Sequence, residues 1–188
     1  MRKVKKFKLT SEFIVDISGV KLFRIKALIE FGNVKAGDLG GYIEKEENLS
    51  HMGDAWVSDD ARISGNAQVF GNAQVFGNAQ VFGDAWVFGN ARVFGNARVS
   101  GDAQVSGNAW VFGDAQVFGD ARVSGDKDYA YAHGFGSCNR TTTFFRLKDG
   151  DVGVRCGCFY GTLAQFRDKV CETHGETKKA QEYLMLAD

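Results

Sequence analysis

The chain of 188 residues contains no proline. Average usage would give roughly 5%. Proline removes a backbone donor and is confined to sheet edges and bulges, so its absence predicts strands that are nearly all ladder strands. Cysteine is sparse, with four residues, read here as reduced thiols. Only three histidines, His51, His133 and His174, are available for proton transfer or metal ligation. Net charge is zero, so no global field draws the chain to nucleic acid or to an anionic membrane. No apolar run could span a bilayer. The basic start Met1-Arg2-Lys3-Val4-Lys5-Lys6 is not followed by the apolar stretch of a signal peptide. These absences predict a cytoplasmic protein with no membrane or nucleic-acid partner and no cofactor.

What the chain has in abundance is one short sentence. Twelve consecutive hexapeptides, Gly53 to Ser124, repeat Gly-Asn/Asp-Ala-x-Val-Phe/Ser without insertion or deletion. In the unit Gly89-Asn90-Ala91-Arg92-Val93-Phe94 the alternation has the period of a short strand. Ala91 and Val93 then face one way, Arg92 and Phe94 the other. Gly89 and Asn90 form the corner, because both tolerate the left-handed backbone of a sharp turn. Valine fills its position in every unit except for Ile63, as a continuous core demands. Each such side chain contributes about 1.5–3 kcal/mol when buried.

This six-residue spacing resembles the hexapeptide repeats of left-handed parallel β-helices. In that family three hexapeptides complete one triangular coil, which implies four regular coils here. A right-handed β-helix is the alternative. The expected fold is mainly β: an N-terminal β cap over residues 1–40, the β-helix over 41–126, and a small C-terminal α+β domain over 127–188. Ile43 and Leu49 fall in the alanine register and Asn48 in the corner register, so an imperfect coil is expected to begin near residue 41. Phe13–Ile17 and Lys21–Ile29 read as a hairpin around Ser18-Gly19 that caps it. Lys127 falls in the buried alanine register, where an unpaired charge is costly, and should end the repeat. Beyond it, 143–147 and 152–156 read as a hairpin. Thr162-Leu163-Ala164-Gln165 is a capping box opening a helix with a Leu163/Phe166/Val170 stripe that stops at Gly175. A second helix is expected over 177–187.

Residues 31–43, from Phe31-Gly32-Asn33 to Gly41-Tyr42-Ile43, run directly into the repeats. With Thr142–Arg146, Cys156-Gly157-Cys158-Phe159 and Thr173-His174-Gly175, they resemble poorly characterised hexapeptide-repeat proteins of bacteria and their phages. That resemblance implies a phage or mobile-element setting and, for a small protein of this kind, inhibition of a host defence complex. It supplies no catalytic residues.

Stacking at eighteen residues predicts three outer walls. One carries Trp56, Gln74, Arg92 and Trp110 beside Ser58, Phe76, Phe94 and Phe112, all expected to point outward. Contiguous apolar surface usually marks an interface, so Trp56, Phe76, Arg92, Phe94, Trp110 and Phe112 are the candidate surface for a homodimer, a homotrimer or a host or viral protein partner. The competing reading is that terminal segments cover the column, or that ladder stacking alone favours aromatics. A corner column of Asn66, Asp84, Asp102 and Asp120 reads as solvated turn residues, with a hard-cation site as the alternative.

Familiar hexapeptide β-helices are acyltransferases with a catalytic histidine at a subunit seam and a projecting loop. No histidine and no loop interrupts the twelve regular units here, and His51 is expected to pack inward. The leading expectation is therefore a noncatalytic binding scaffold, with a nucleotide or metabolite sponge and an acyltransferase-like enzyme as rivals. Arg140, Arg146 and Arg155 form a candidate anion-binding set. Cys156 and Cys158 on a strand with Cys171 and His174 on a helix have the donor types of a zinc site, weighed against ordinary core cysteines. Gly134-Phe135-Gly136 reads as a flexible loop, and Arg2-Lys3-Lys5-Lys6-Lys8 as a basic solubilising arm.

Overall fold

The computed structural model describes residues 4–135 and 140–188. The chain opens with β1 (Phe7–Val15) and β2 (Lys21–Ala27), an antiparallel hairpin, followed by β3 (Leu39–Ile43). Asp16 fixes the hairpin turn by accepting the backbone N–H groups of Ser18 and Val20, both at 2.9 Å.

Twelve two-residue strands follow: β4 (Trp56–Val57), β5 (Arg62–Ile63), β6 (Gln68–Val69), β7 (Gln74–Val75), β8 (Gln80–Val81), β9 (Trp86–Val87), β10 (Arg92–Val93), β11 (Arg98–Val99), β12 (Gln104–Val105), β13 (Trp110–Val111), β14 (Gln116–Val117) and β15 (Arg122–Val123). Strands β4 to β12 each pair in parallel with the strand three units on, as in Val75 against Val93 and Val93 against Val111. The result is a β-solenoid of about five turns with three sheets as its walls. Every repeat alanine and valine from Ala55 to Val123 is fully buried, so the interior is a closed column of small apolar side chains. Asp59 takes the glycine position of its unit with a positive φ of 55°, and its carboxylate accepts the Gly77 N–H at 3.0 Å.

The first coil departs from the register expected above. Ile43 pairs with Ile63 and Leu49 with Val69, whereas Val57 pairs with Val75. Ile43 and Leu49 therefore occupy the valine register, not the alanine register. Two additional residues lie between Leu49 and Val57, where the chain loops out so that His51 stacks on Phe7 with ring centroids 4.3 Å apart. Asn48 does not form a corner. It closes the short 3-10 turn Glu46–Asn48 and is completely buried.

The two ends of the column are sealed differently. β3 joins one wall by parallel pairing with β5, and the hairpin adds to β3 by antiparallel pairing, giving the order β1-β2-β3-β5-β8-β11-β14; Phe7 and Ile25 close the core. At the other end the coil stops in the 3-10 turn Asp126–Asp128, with Lys127 exposed rather than carried inward. Then come β16 (Tyr129–Phe135), β17 (Arg140–Arg146), β18 (Val152–Cys156) and β19 (Phe159–Thr162), an antiparallel sheet in that order. Phe145 from this sheet plugs the solenoid core. Gly134 and Phe135 belong to β16 rather than to a loop, and Gly136 lies outside the described residues.

Helix α1 (Leu163–His174) starts where its capping box places it. Thr162 Oγ1 accepts the Gln165 N–H and Gln165 Oε1 accepts the Thr162 N–H. Gly175 ends it, and Thr177 caps α2 (Lys178–Ala187). Val154, Cys156, Phe166, Val170, Ala180, Tyr183 and Ala187 form a second core, separate from the solenoid column.

Candidate functional site

The repeat's outward phenylalanines stack along the rod because identical positions recur one strand spacing apart, about 4.8 Å. Phe76 lies on Phe94 at 4.8 Å with rings within 1° of parallel, and Phe94 on Phe112 at 5.3 Å and 12°. Trp110 meets Phe94 edge-on at 6.3 Å, and the Arg92 guanidinium lies 5.1 Å from the Trp110 ring centre. At the C-terminal end of this ladder Trp110 is 44% and Phe112 39% exposed, while Phe76 and Phe94 are half-buried. Tyr129 and Tyr131 approach Phe112 edge-on from the C-terminal sheet. Burial raises the Tyr129 hydroxyl to a pKa of about 12.

Trp56, expected to open the same exposed column, does not. It is 4% exposed and packs edge-on against Phe31 at 5.4 Å. The segment between β2 and β3 folds over the first coil, and Phe31 carries the cover. The apolar column is thus covered at its N-terminal end and open at its C-terminal end.

A second, shorter ladder joins Phe70 to Phe88 at 4.9 Å, with Trp86 41% exposed beside it. This wall forms a groove with the Asn66/Asp84/Asp102/Asp120 column. Asn66 donates to Asp84 at 3.0 Å and receives Lys45 Nζ at 3.1 Å. The Arg122 guanidinium donates to the Asp102 carbonyl at 2.9 Å. Among the described residues no group of three or more histidine, cysteine or acidic side chains is arranged to hold a metal. On the other corners, asparagines form ladders of their own, with Asn72 donating to Asn90 and Asn90 to Asn108.

The three candidate arginines are not brought together. Arg146 pairs with Asp128 at 3.3 Å, and Asp128 is held below the usual carboxylate range chiefly by the Ser124 hydroxyl. Arg155 lies 5.1 Å from the Phe118 ring on the side facing the solenoid. Strand alternation explains the split, since β17 pairs Thr143 with Arg155 and so sends Arg155 to the face opposite Arg140 and Arg146. Arg140 instead lines a cavity with Cys156, Cys158 and His174. Cys156 is buried and its sulfur accepts from the Thr142 hydroxyl at 3.2 Å, Cys158 is exposed in the tight turn, and Cys171 points away to solvent. Of the four candidate zinc donors, Cys156, Cys158 and His174 line that cavity and Cys171 does not.

The histidines are dispersed. His51 Nδ1 accepts the Lys6 N–H at 3.2 Å, His133 contacts Thr141 at 2.9 Å, and His174 stacks on Tyr183 at 5.6 Å. None lies on a solenoid wall strand. Lys6 is not part of a solvated arm. It is 1% exposed, its ammonium donates to Gly53 O at 3.2 Å and Ala55 O at 2.7 Å, and desolvation, opposed by Asp54, lowers its pKa to about 8. Arg2 and Lys3 lie outside the described residues.

Residues 61–77, 85–101, 91–107 and 103–117 match the family model of the YdcK β-solenoid repeat. The chain is a repeat β-solenoid protein. Two of the matched stretches overlap at an offset of one hexapeptide, which is the periodicity of the wall strands themselves. No curated protein matches the chain.

Proposed function

We propose that this protein is a noncatalytic binding scaffold: a left-handed hexapeptide-repeat rod that self-associates as a dimer or trimer and presents its terminal caps to a macromolecular partner. The observation that carries the reading is the open end of the ring ladder. Trp110 and Phe112 are exposed on a flat, uninterrupted wall, continuous with Phe94 and Phe76. Flat parallel walls are self-complementary, and an isologous contact buries the same rings on both copies. The noncatalytic part rests on the dispersal of His51, His133 and His174 and on walls without a projecting loop. Left-handedness rests on the six-residue spacing. The bacterial cytoplasm, a phage or prophage source and a host defence complex as target rest on the resemblance of residues 31–43 and of the C-terminal motifs.

The test is mass in solution by light scattering for the wild type and for a Phe76→Ser/Phe94→Ser/Phe112→Ser variant. Serine already occupies this register at Ser58 and Ser100, so the variant is expected to fold. The wild type should run as a multiple of 20.6 kDa and the variant as a single chain. A monomeric wild type at micromolar concentration would sink the self-association. Loss of bound protein in a bacterial-lysate pull-down with the variant would connect the same wall to a foreign partner.

A further inference from the structure

Against the second core, outside the solenoid, lies an open cavity of about 190 Å³ between the β18–β19 turn and helices α1 and α2. Its lining includes Arg140, Phe159, Phe166, Lys169, His174 and Tyr183, and no carboxylate among the described residues. Three aromatic rings thus face one guanidinium, one ammonium and one imidazole. Lys169 shares its charge with Glu172 at 2.8 Å, which leaves Arg140 as the dominant cation. Pockets for drug-sized ligands run about 300–1,000 Å³, so the occupant of this one is fragment-sized.

Arg140 is placed by a gap in the turn. Gly157 has a positive φ of 58°, and a Cβ there would collide with the Arg140 guanidinium. The missing side chain lets the arginine lie across the turn at the cavity mouth. A guanidinium keeps its charge at any ordinary pH and matches a carboxylate with two parallel hydrogen bonds. The ring-lined interior, built from Phe166 against Phe159 at 5.4 Å and Tyr183 at 6.0 Å, suits a flat apolar body.

We infer that this cavity binds a small organic monoanion, a carboxylate carried on a flat apolar body, with Arg140 taking the carboxylate and the rings of Phe159, Phe166 and Tyr183 taking the body. The inference is independent of the scaffold reading, because it uses neither the solenoid wall nor a second copy.

The experiment is an NMR titration of the full chain with benzoate, with benzamide as the neutral isostere and inorganic phosphate as a purely polar anion. Saturable benzoate shifts confined to the β18–β19 turn, α1 and α2 are expected, with benzamide at least about tenfold weaker. Arg140→Gln should raise the benzoate Kd about tenfold or more, the worth of a charged hydrogen bond. Arg140→Lys should fall between, because it keeps the charge and loses the fork. Arg146→Gln, away from the cavity, should leave the Kd unchanged. The inference is overturned if benzoate produces no saturable shifts, if benzamide binds equally well, if Arg140→Gln binds like the wild type, or if phosphate binds there and benzoate does not.

Discussion

Lys6 and Asn48 perform the same task on two walls of the first coil. The Lys6 ammonium donates to Gly53 O and Ala55 O, and the Asn48 carboxamide donates to Gly65 O and Ala67 O at 3.1 and 2.8 Å. These are the glycine and alanine carbonyls of two repeat units. In later coils those carbonyls accept backbone N–H groups from the coil before, as Ala73 O does from Trp56 N. The chain before these units sends no backbone N–H to the four carbonyls, even where Leu49 and Ser50 lie against Val69, so a side chain supplies the donor.

Removing one of these donors should therefore cost more than an ordinary buried substitution. Asn48→Leu leaves Gly65 O, Ala67 O and the Lys45 N–H without their partner, a loss of about 2–4 kcal/mol. Urea unfolding measures it. Amide exchange should quicken first in the opening coil, and a loss below about 1 kcal/mol would refute the capping role.

The two ends should titrate in opposite senses at high pH. Lys6 is lowered from 10.5 to about 8, so between those values the unfolded chain holds the extra proton and stability rises with pH. The full burial penalty, about 3 kcal/mol at most, is present below pH 8. Tyr129 is raised from 10.0 to about 12, so above pH 10 the unfolded chain loses its proton first and stability falls. Urea midpoints should climb from pH 8 toward 10 and then decline. Lys6→Met should flatten the climb and Tyr129→Phe should reduce the decline.

Trp56 and Trp110 occupy one wall and should behave as different kinds of residue. Trp56→Ala removes a buried ring packed on Phe31, at about 3–5 kcal/mol. Trp110→Ala should change stability little and reduce association. Chemical unfolding and light scattering on both variants separate the two effects, and equal destabilisation would contradict the assignment.

At Gly89 φ is +70°, and a Cβ would sit 3.0 Å from the Gly107 backbone nitrogen. Gly89→Ala should cost about 1–3 kcal/mol through the strained backbone and the crowding of the next coil. A thermal melt would show it as a clear drop in Tm, and an unchanged Tm would mean the corner can open.

The inward half of the repeat is legible because alanine and valine recur in every unit, with Ile63 the one substitution, and the α1 capping box because its four residues are contiguous. What the sequence hid were contacts made by residues far apart along the chain. Trp56 fits the exposed column by register, and Phe31 and Gly40, both outside the repeat, cover it. Ile43 and Leu49 were misplaced because a two-residue excess before Val57 carries no marker of its own. Lys6 resembles its neighbours in a basic run until its carbonyl partners, nearly fifty residues away, are known. Arg140, Arg146 and Arg155 sit in one unit, yet pairing Thr143 with Arg155 puts the last on the opposite face.

The solenoid is closed by donors at one end and by acceptors at the other. Asp126 takes the Trp110 N–H, Thr143 Oγ1 takes the Gln116 N–H and Asp128 takes that of Ser124. Neither set touches the middle coils, so the rod behaves as a spacer of adjustable length. Excising Gly89–Ser106, three whole units, would bring the two caps closer by about 4.8 Å while every capping contact survived. The opening end is covered by the β1–β3 sheet on one wall and by Lys6 and Asn48 on the other two, and the closing end by Asp126, Thr143 and Asp128. Changing the length would therefore leave both covers in place and would not turn the protein into a fibre.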